Sequence, residues 1–340
     1  MSVKDLAAEL EAAIGINDPR QEVRMFLSTG YPKLDYEISG HYHGGGFPLG
    51  RIVEMFGPPS SGKTAIATCA MATAQRNGGV AAFFDHERSF DVGQGVALGL
   101  NVDPGQWVYK APKTFEESIA TAMNMAKVIR EKSLIDPDAP IVCVFDSLAS
   151  MVPQSKFNNI EDKGVAALNM SDNTALARAT SASFPALAQW CEQYEMLALF
   201  LNQARTKIGV MFGDPTTTPG GNAPEFYASV RVKLGRSQLT KTVGGAKVRI
   251  GQRIGAEIIK NKVYRPFGKC EWDFLYQEDG TGKFDVIGSS IDALLEMGRL
   301  EKAGNNIEWD GKKFPRSTLI ERIAANDETA KLLELFPESA

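Results

Sequence analysis

The stretch RIVEMFGPPSSGKTAIATCAMATAQR, Arg51 to Arg76, decides the fold. It opens as a short apolar strand ending at Gly57 and closes as a helix from Thr64 to Arg76. Between them GPPSSGKT, Gly57 to Thr64, fits G-x-x-x-x-G-K-[ST], the loop that wraps phosphates. Gly57 and Gly62 let backbone N–H groups turn toward bound oxygens, with Pro58, Pro59, Ser60 and Ser61 completing the loop. Lys63 supplies charge to β- and γ-phosphate oxygens, and the Thr64 hydroxyl can ligate Mg²⁺. The helix adds the positive end of its dipole. A chance loop of Gly, Ser and Pro is the bland alternative, and the strand before and helix after argue against it.

Outward from this loop, the chain alternates in type. GVAAFFD, PIVCVFD and MLALFLNQ read as continuous apolar strands, with helices over Phe115 to Lys132 and Ala175 to Tyr194 between them. Such strands imply a parallel sheet buried on both faces. After Gln203 an irregular segment intervenes, and ASVRVKL, GQRIGAEIIKN and GKCEWDFLY then suggest an antiparallel extension of the same sheet. The expected fold is α/β with a mixed, mainly parallel central sheet. A front helix over KDLAAELEAAI, with Leu6, Leu10 and Ile14 on one face, gives an N-terminal arm and linker over 1–30 and a core over 31–280. Short helices around the hairpin NNIEWDGKKF give a small C-terminal α/β domain over 281–340.

The 340 residues carry a net charge of -4, which at face value argues against a nucleic-acid binder. The sum hides a local field. Between Gln203 and Arg265 stand 12 Lys or Arg against 3 Asp or Glu, a net of +9 that leaves -13 on the rest. A basic stretch in an acidic chain marks a polyanion site, unless its charges share no common face. Cys69, Cys143, Cys191 and Cys270 are scattered, and three of them sit in apolar surroundings and read as buried thiols of a reducing cytosol. The start of the chain lacks an apolar signal core, and no run reaches membrane-spanning length, so a cytoplasmic protein with no membrane partner is expected. His41 and His43 in GHYHGGG have a metal-like spacing without further ligands, so a surface loop is the preferred reading.

Further strand ends converge on the phosphate loop. IVCVFDS ends in Asp146, a carboxylate suited to holding the Mg²⁺ shell. FFDHE carries Asp85 and Glu87, and Glu87 either orients a water for attack on a γ-phosphate or is a solvated turn residue. Gln203 either senses the γ-phosphate or is an ordinary polar strand end.

STGYPKLD, GGGFPLGRIVEMFGPPSSGKT, FFDHE, FLNQARTKIGVMFGDPTTTPGGNAPEFYASVR and IIKNKVYRPF together resemble the bacterial RecA recombinase family, in order and over roughly 25–280. The resemblance implies a RecA-like P-loop NTPase core that uses ATP and Mg²⁺ and forms a helical homo-oligomeric filament, with nucleotide between neighbouring protomers. It implies pairing of single-stranded DNA with homologous double-stranded DNA, and work alongside single-strand-binding and loader proteins. By motif position, Glu87 is the catalytic glutamate, Asp146 the metal carboxylate and Gln203 the γ-phosphate sensor. Lys260 and Lys262 reach a neighbour's ATP, although from residues alone they are a solvated strand edge. Asp91 and Tyr276 contact adenine, while Gln94 replaces a tyrosine of the family, so weaker base stacking is expected.

Two DNA-binding loops are implied at about 154–174 and 204–218. The first matches poorly, and Arg178 at its exit is its best candidate. The second implies phosphate contacts from Arg205, Lys207, Gly220, Gly221, Asn222 and Arg236, with Ile208 wedging between bases. Thr206 is smaller and more polar than the family pattern, which makes that wedge less bulky. Phe226 resembles the aromatic that touches the neighbouring subunit. Two other classes stay open: a small-molecule phosphotransferase, which leaves the 204–226 block unexplained, and a filament-forming regulator without strand exchange.

Overall fold

The structure, a computed structural model, describes residues 3–14, 22–163, 174–206 and 216–338. Helix α1 (Val3–Ile14) carries exposed Leu6 and Leu10. A two-residue ladder of β1 (Phe26–Leu27) and β2 (Phe47–Pro48) brackets α2 (Pro32–Ser39), which Pro32 opens at the helix start, where its missing N–H costs nothing. The core then runs β3 (Ile52–Gly57), α3 (Lys63–Arg76), β4 (Val80–Asp85), α4 (Val92–Ala97), β5 (Val108–Lys110), α5 (Phe115–Glu131) and β6 (Ile141–Asp146). A 3₁₀ turn, Leu148–Ser150, leads to α6 (Gln154–Lys163), and α7 (Ala175–Tyr194) leads to β7 (Met196–Gln203).

The second-loop region holds only β8 (Arg205–Thr206), β9 (Thr216–Thr217) and α8 (Ala223–Tyr227) among its described residues. Next come β10 (Val230–Val243), β11 (Ala246–Asn261), β12 (Lys269–Tyr276) and β13 (Gly282–Phe284). Last are α9 (Val286–Glu296), β14 (Lys302–Ala303), β15 (Asn306–Trp309), β16 (Lys312–Pro315), α10 (Arg316–Ala325) and α11 (Thr329–Leu333).

One nine-stranded sheet orders as β13-β12-β11-β10-β3-β7-β6-β4-β5, parallel from β10 through β5 and antiparallel from β10 through β13. Its central strands β3, β7, β6 and β4 are buried almost throughout because both faces are covered. In β6, Ile141, Cys143 and Phe145 face α5 and α7, while Val142 and Val144 face α3. The α3 side buries Ile66, Ala67, Ala70, Met71 and Ala74, and α5 and α7 bury Phe115, Ile119, Phe184 and Leu187. Each large side chain buried in this way contributes about 1.5–3 kcal/mol. A third cluster joins Ile291, Leu294, Trp309, Leu319, Ile323 and Phe336 with Tyr42, which stacks on Tyr36 at 4.2 Å and on Phe336 at 5.1 Å.

Two details differ from expectation. Residues 154–163, expected in a loop, are helical: Pro153 O accepts the N–H groups of Lys156 and Phe157, and Glu116 accepts from Gln154 N at 2.8 Å. The β10–β11 pair is far longer than its apolar segments suggested, because Gly244-Gly245, both at positive φ, makes a two-residue hairpin turn that lets TKTV pair with AKVR. His41 and His43 stand exposed in a surface loop, as expected, and His43 Nε2 bonds the Phe336 carbonyl at 3.0 Å. All four cysteines are free thiols, and burial pushes the Cys69 thiol up to about 12. Among the described residues, no helix is long and apolar enough to cross a membrane.

Candidate nucleotide site and nucleic-acid interface

The parallel strands end on one edge of the sheet, where open α/β folds bind ligands. There Gly57 lies opposite Gln203, and Asp85 opposite Asp146. The loop after Gly57 reaches α3 through Gly62, whose φ of +87° is strained for any residue with a side chain. Lys63 Nζ donates to the carbonyls of Gly57 at 3.2 Å and Pro58 at 2.9 Å. Burial lowers its pKa, opposed by Asp146 and Glu87. Ser61 Oγ is buried with no hydrogen-bond partner among the described residues. Gln252, on β11, pins the loop by donating to Ser60 O at 3.0 Å, a support the sequence did not reveal.

Thr64 Oγ1 donates to Asp146 Oδ2 at 2.7 Å. Burial pushes the Asp146 carboxyl up to about 6, with Thr64 opposing it. A buried carboxylate and a hydroxyl are hard oxygen ligands that fit Mg²⁺, which takes one or two protein oxygens and completes its shell with water and phosphate. The described residues offer no His/Cys/Asp/Glu cluster that would hold a metal alone, so such a site depends on phosphate oxygens.

Asp85 is a scaffold for the turn that presents Glu87. It accepts from Arg88 N, Phe90 N and the Tyr109 hydroxyl at 2.7, 3.1 and 3.0 Å. Glu87 stands exposed at the tip, and its Oε1 takes Ser147 Oγ at 2.5 Å and Gln203 Nε2 at 3.4 Å. The structure thus brings Lys63, Thr64 and Asp146 together, and joins Glu87 to Gln203.

Asp91 caps α4 by accepting from Gln94 N at 3.0 Å. The Gln94 side chain donates to Gly282 O at 2.7 Å and accepts from Gly282 N at 2.8 Å. It is therefore a clip between α4 and β13, and Gly282 pairs with Tyr276, which is 44% exposed beneath the Arg249 guanidinium at 5.5 Å. Asp91 and Tyr276 are tied into one neighbourhood by the residue that the sequence marked only as a missing aromatic.

Lys260 and Lys262 lie elsewhere. Lys260 pairs with Arg231, which pairs with Glu54, three positions back from Gly57 and so about 10 Å along the strand. Lys260 Nζ donates to the carbonyls of Glu225 at 2.5 Å and Phe226 at 2.9 Å, and Lys262 Nζ lies 5.8 Å from the ring of Phe226, itself 69% exposed. Burial, reinforced by Lys262 and Arg231, lowers the Lys260 ammonium to about 8. These three residues form one patch, away from the phosphate loop of their own chain.

The base of the second loop is closed by pairing of Arg205 with Thr217 and Thr206 with Thr216. Its exit packs on α7: Thr180 Oγ1 donates to Gly220 O at 2.7 Å, and Gly221 lies against Ala177, next to exposed Arg178. Arg178, Gly220, Gly221 and Asn222 are therefore neighbours across α7 and α8. Arg236 stands apart, exposed on the projecting hairpin. Lys207 and Ile208 lie outside the described residues, as do 164–173 of the first loop.

Among the described residues, some of the basic residues counted for this region are already engaged within the chain. Arg231 is buried on Glu54 at 2.6 Å, and Arg253 pairs with Asp273 at 2.8 Å, so the field is weaker than the count. A cleft of about 810 Å³ lies at the opposite edge of the sheet by Arg51, Arg130 and Glu192 and contains none of the candidate residues.

The family model described as RecA N-terminal domain matches residues 12–281. The chain is 34% identical over 306 residues to Protein RecA of Streptococcus uberis, covering 89% of this chain and 73% of that one. It is likewise 34% identical over 306 residues to Protein RecA of Chlorobaculum parvum, covering 90% and 80%. A solved structure described as the RadB recombinase aligns with a TM-score of 0.49 at 21% identity, over 75% of this chain and 98% of that one.

Proposed function

This chain belongs to the RecA family, and from that premise we propose that it is an ATP-dependent recombinase. It assembles as a helical filament on single-stranded DNA, pairs it with homologous duplex and exchanges strands in homologous recombination and repair. The observation that carries this reading is the division of the active groups between two surfaces. Lys63, Thr64, Asp146, Glu87 and Gln203 sit at the carboxyl edge of the strands, whereas Lys260, Lys262 and Phe226 form a separate patch. A second copy set head to tail brings that patch over the first copy's phosphate loop, a heterologous contact that generates a helix.

In this arrangement, the loop from Gly57 to Thr64 binds the phosphates of ATP, and Lys63 leaves its carbonyl partners for them. Thr64 and Asp146 hold Mg²⁺, which when bound neutralises phosphate charge. Glu87 takes a proton from water as its oxygen bonds to the terminal phosphorus and the bond to the bridging oxygen breaks, giving ADP and phosphate. The neighbour's Lys260 and Lys262 stabilise the charge on the leaving phosphate, and Asp91 and Tyr276 receive the adenine. Gln203 joins this centre to the 204–218 loop, whose Arg205, Lys207, Gly220, Gly221 and Asn222 hold DNA phosphates while Ile208 separates bases. Arg178 and Arg236 extend that surface. Residues 1–30 serve as the polymerisation arm, 31–280 as the ATPase core and 281–340 as a C-terminal domain, and the filament works in the cytoplasm with single-strand-binding and loader proteins.

The test is ATP hydrolysis with and without single-stranded DNA, followed by joint-molecule formation with homologous duplex. Stimulated hydrolysis with joint molecules is expected. Hydrolysis that ignores DNA overturns the reading.

A further inference from the structure

Two loop roots meet at Glu87. Ser147 and the Leu148–Ser150 turn follow β6 and lead into α6, and Gln203 ends β7 and leads into 204–218. Ser147 Oγ donates to Glu87 Oε1 at 2.5 Å, and Gln203 Nε2 stands 3.4 Å from the same oxygen. Ser150 Oγ lies 3.2 Å from Ser147 Oγ and 3.4 Å from Oε1. A serine hydroxyl carries one hydrogen. Ser147 gives its hydrogen to Glu87, so Ser150 directs its own either to Oε1 or to the Ser147 oxygen, and both choices strengthen the hold on Oε1. Among the described residues, no donor reaches Oε2.

We propose that Ser150 is a positioning residue for Glu87. With Ser147 it anchors Oε1, leaving Oε2 as the oxygen that takes the proton of the attacking water. The turn is suited to this task because it is rigid: Leu148 is fully buried, and Ser150 N donates to Ser147 O at 2.9 Å. An exposed glutamate without such an anchor samples many rotamers and spends little time aligned for proton transfer. The root of the first loop thus reaches hydrolysis by its own route, beside that of Gln203. This inference rests on the reading of Glu87 as the water-activating carboxylate.

The test uses the full chain on single-stranded DNA with Ser150→Ala, Ser150→Thr and Glu87→Gln. It measures ATP turnover, together with binding of ATPγS and of ADP with aluminium fluoride, a mimic of the transition state. Ser150→Ala is expected to lower kcat about 5- to 10-fold, the scale of one ordinary hydrogen bond. KM and ATPγS affinity stay unchanged, the aluminium fluoride complex weakens by a similar factor, and Ser150→Thr restores most of the loss. In the Glu87→Gln background, Ser150→Ala weakens the mimic no further.

Wild-type kcat and mimic affinity in Ser150→Ala, alongside an inactive Glu87→Gln, overturn this proposal alone. A loss that raises KM, weakens ATPγS equally or adds fully to Glu87→Gln also overturns it. Wild-type turnover by Glu87→Gln overturns the reading of Glu87 and the proposal with it.

Discussion

Replacing Arg231 by methionine removes one partner from a buried pair beside Thr218 and Pro219. Arg231 Nε donates to Glu54 Oε2 at 2.6 Å, with side chains 7% and 1% exposed. Asn202 Nδ2 takes the other Glu54 oxygen at 2.8 Å and the Pro219 carbonyl at 2.9 Å, and Arg231 also reaches Thr218 Oγ1 at 3.3 Å. Methionine fills the stem volume and leaves the Glu54 carboxylate buried without its cation, a change that costs about 3–5 kcal/mol. At roughly 2 °C per kcal/mol for a chain of this size, the thermal midpoint drops by roughly 6–10 °C.

Adding Glu54→Gln removes the stranded charge while keeping an acceptor for Asn202, and the double variant recovers at least about half of the loss. Calorimetry measures both. Because Thr218 loses a tether as well, affinity for single-stranded DNA falls while ATPγS affinity holds. A midpoint within about 1 °C of wild type for Arg231→Met, the range of a surface substitution, refutes the buried-pair argument.

Three other substitutions probe separate parts of the account. Phe226→Ala leaves the thermal midpoint of unassembled protein within about 1 °C, since the ring is exposed, but abolishes cooperative assembly on single-stranded DNA in a filter-binding titration. Gln94→Ala cuts both bonds to Gly282 and raises KM for ATP several-fold with little change in kcat; an unchanged KM contradicts the clip between α4 and β13. Burial raises the Asp35 carboxyl to about 7, against hydrogen bonds from Ser28 and Thr29. Because this folded pKa exceeds the ordinary carboxylate value, Asp35 contributes stability at low pH and loses it as pH rises toward 7. The stability gap between wild type and Asp35→Asn therefore narrows by about 2–3 kcal/mol between pH 5 and pH 8 in urea titrations, and a constant gap refutes it.

What the sequence revealed follows from how local each signal is. Gly57 to Thr64 is contiguous, and its flanking strand and helix are set by neighbours in the chain, so loop and context were legible together. Asp146, Glu87 and Gln203 were legible because parallel strands must end on one edge. Glu54, Asn202 and Arg231 were not: each is a polar residue in an apolar strand whose partner stands more than a hundred residues away, 177 in the case of Arg231 and Glu54. A charge count treats that arginine as available to DNA, and only strand register shows it buried. The contact of Gln94 with Gly282 was illegible in the same way, since the two are 188 residues apart. The Gly244-Gly245 turn was a local signal that went unused, because the strands it joins are too polar to stand out.

Mixing two inactive variants tests the shared site most directly. Glu87→Gln subunits keep the lysine patch, and Lys262→Ala subunits keep the water-activating carboxylate. In a head-to-tail filament assembled from equal amounts, roughly a quarter of the interfaces regain both groups. The account predicts that DNA-stimulated ATP hydrolysis returns on mixing and peaks near equal proportions. Hydrolysis that stays at the level of the separate variants at every ratio contradicts it.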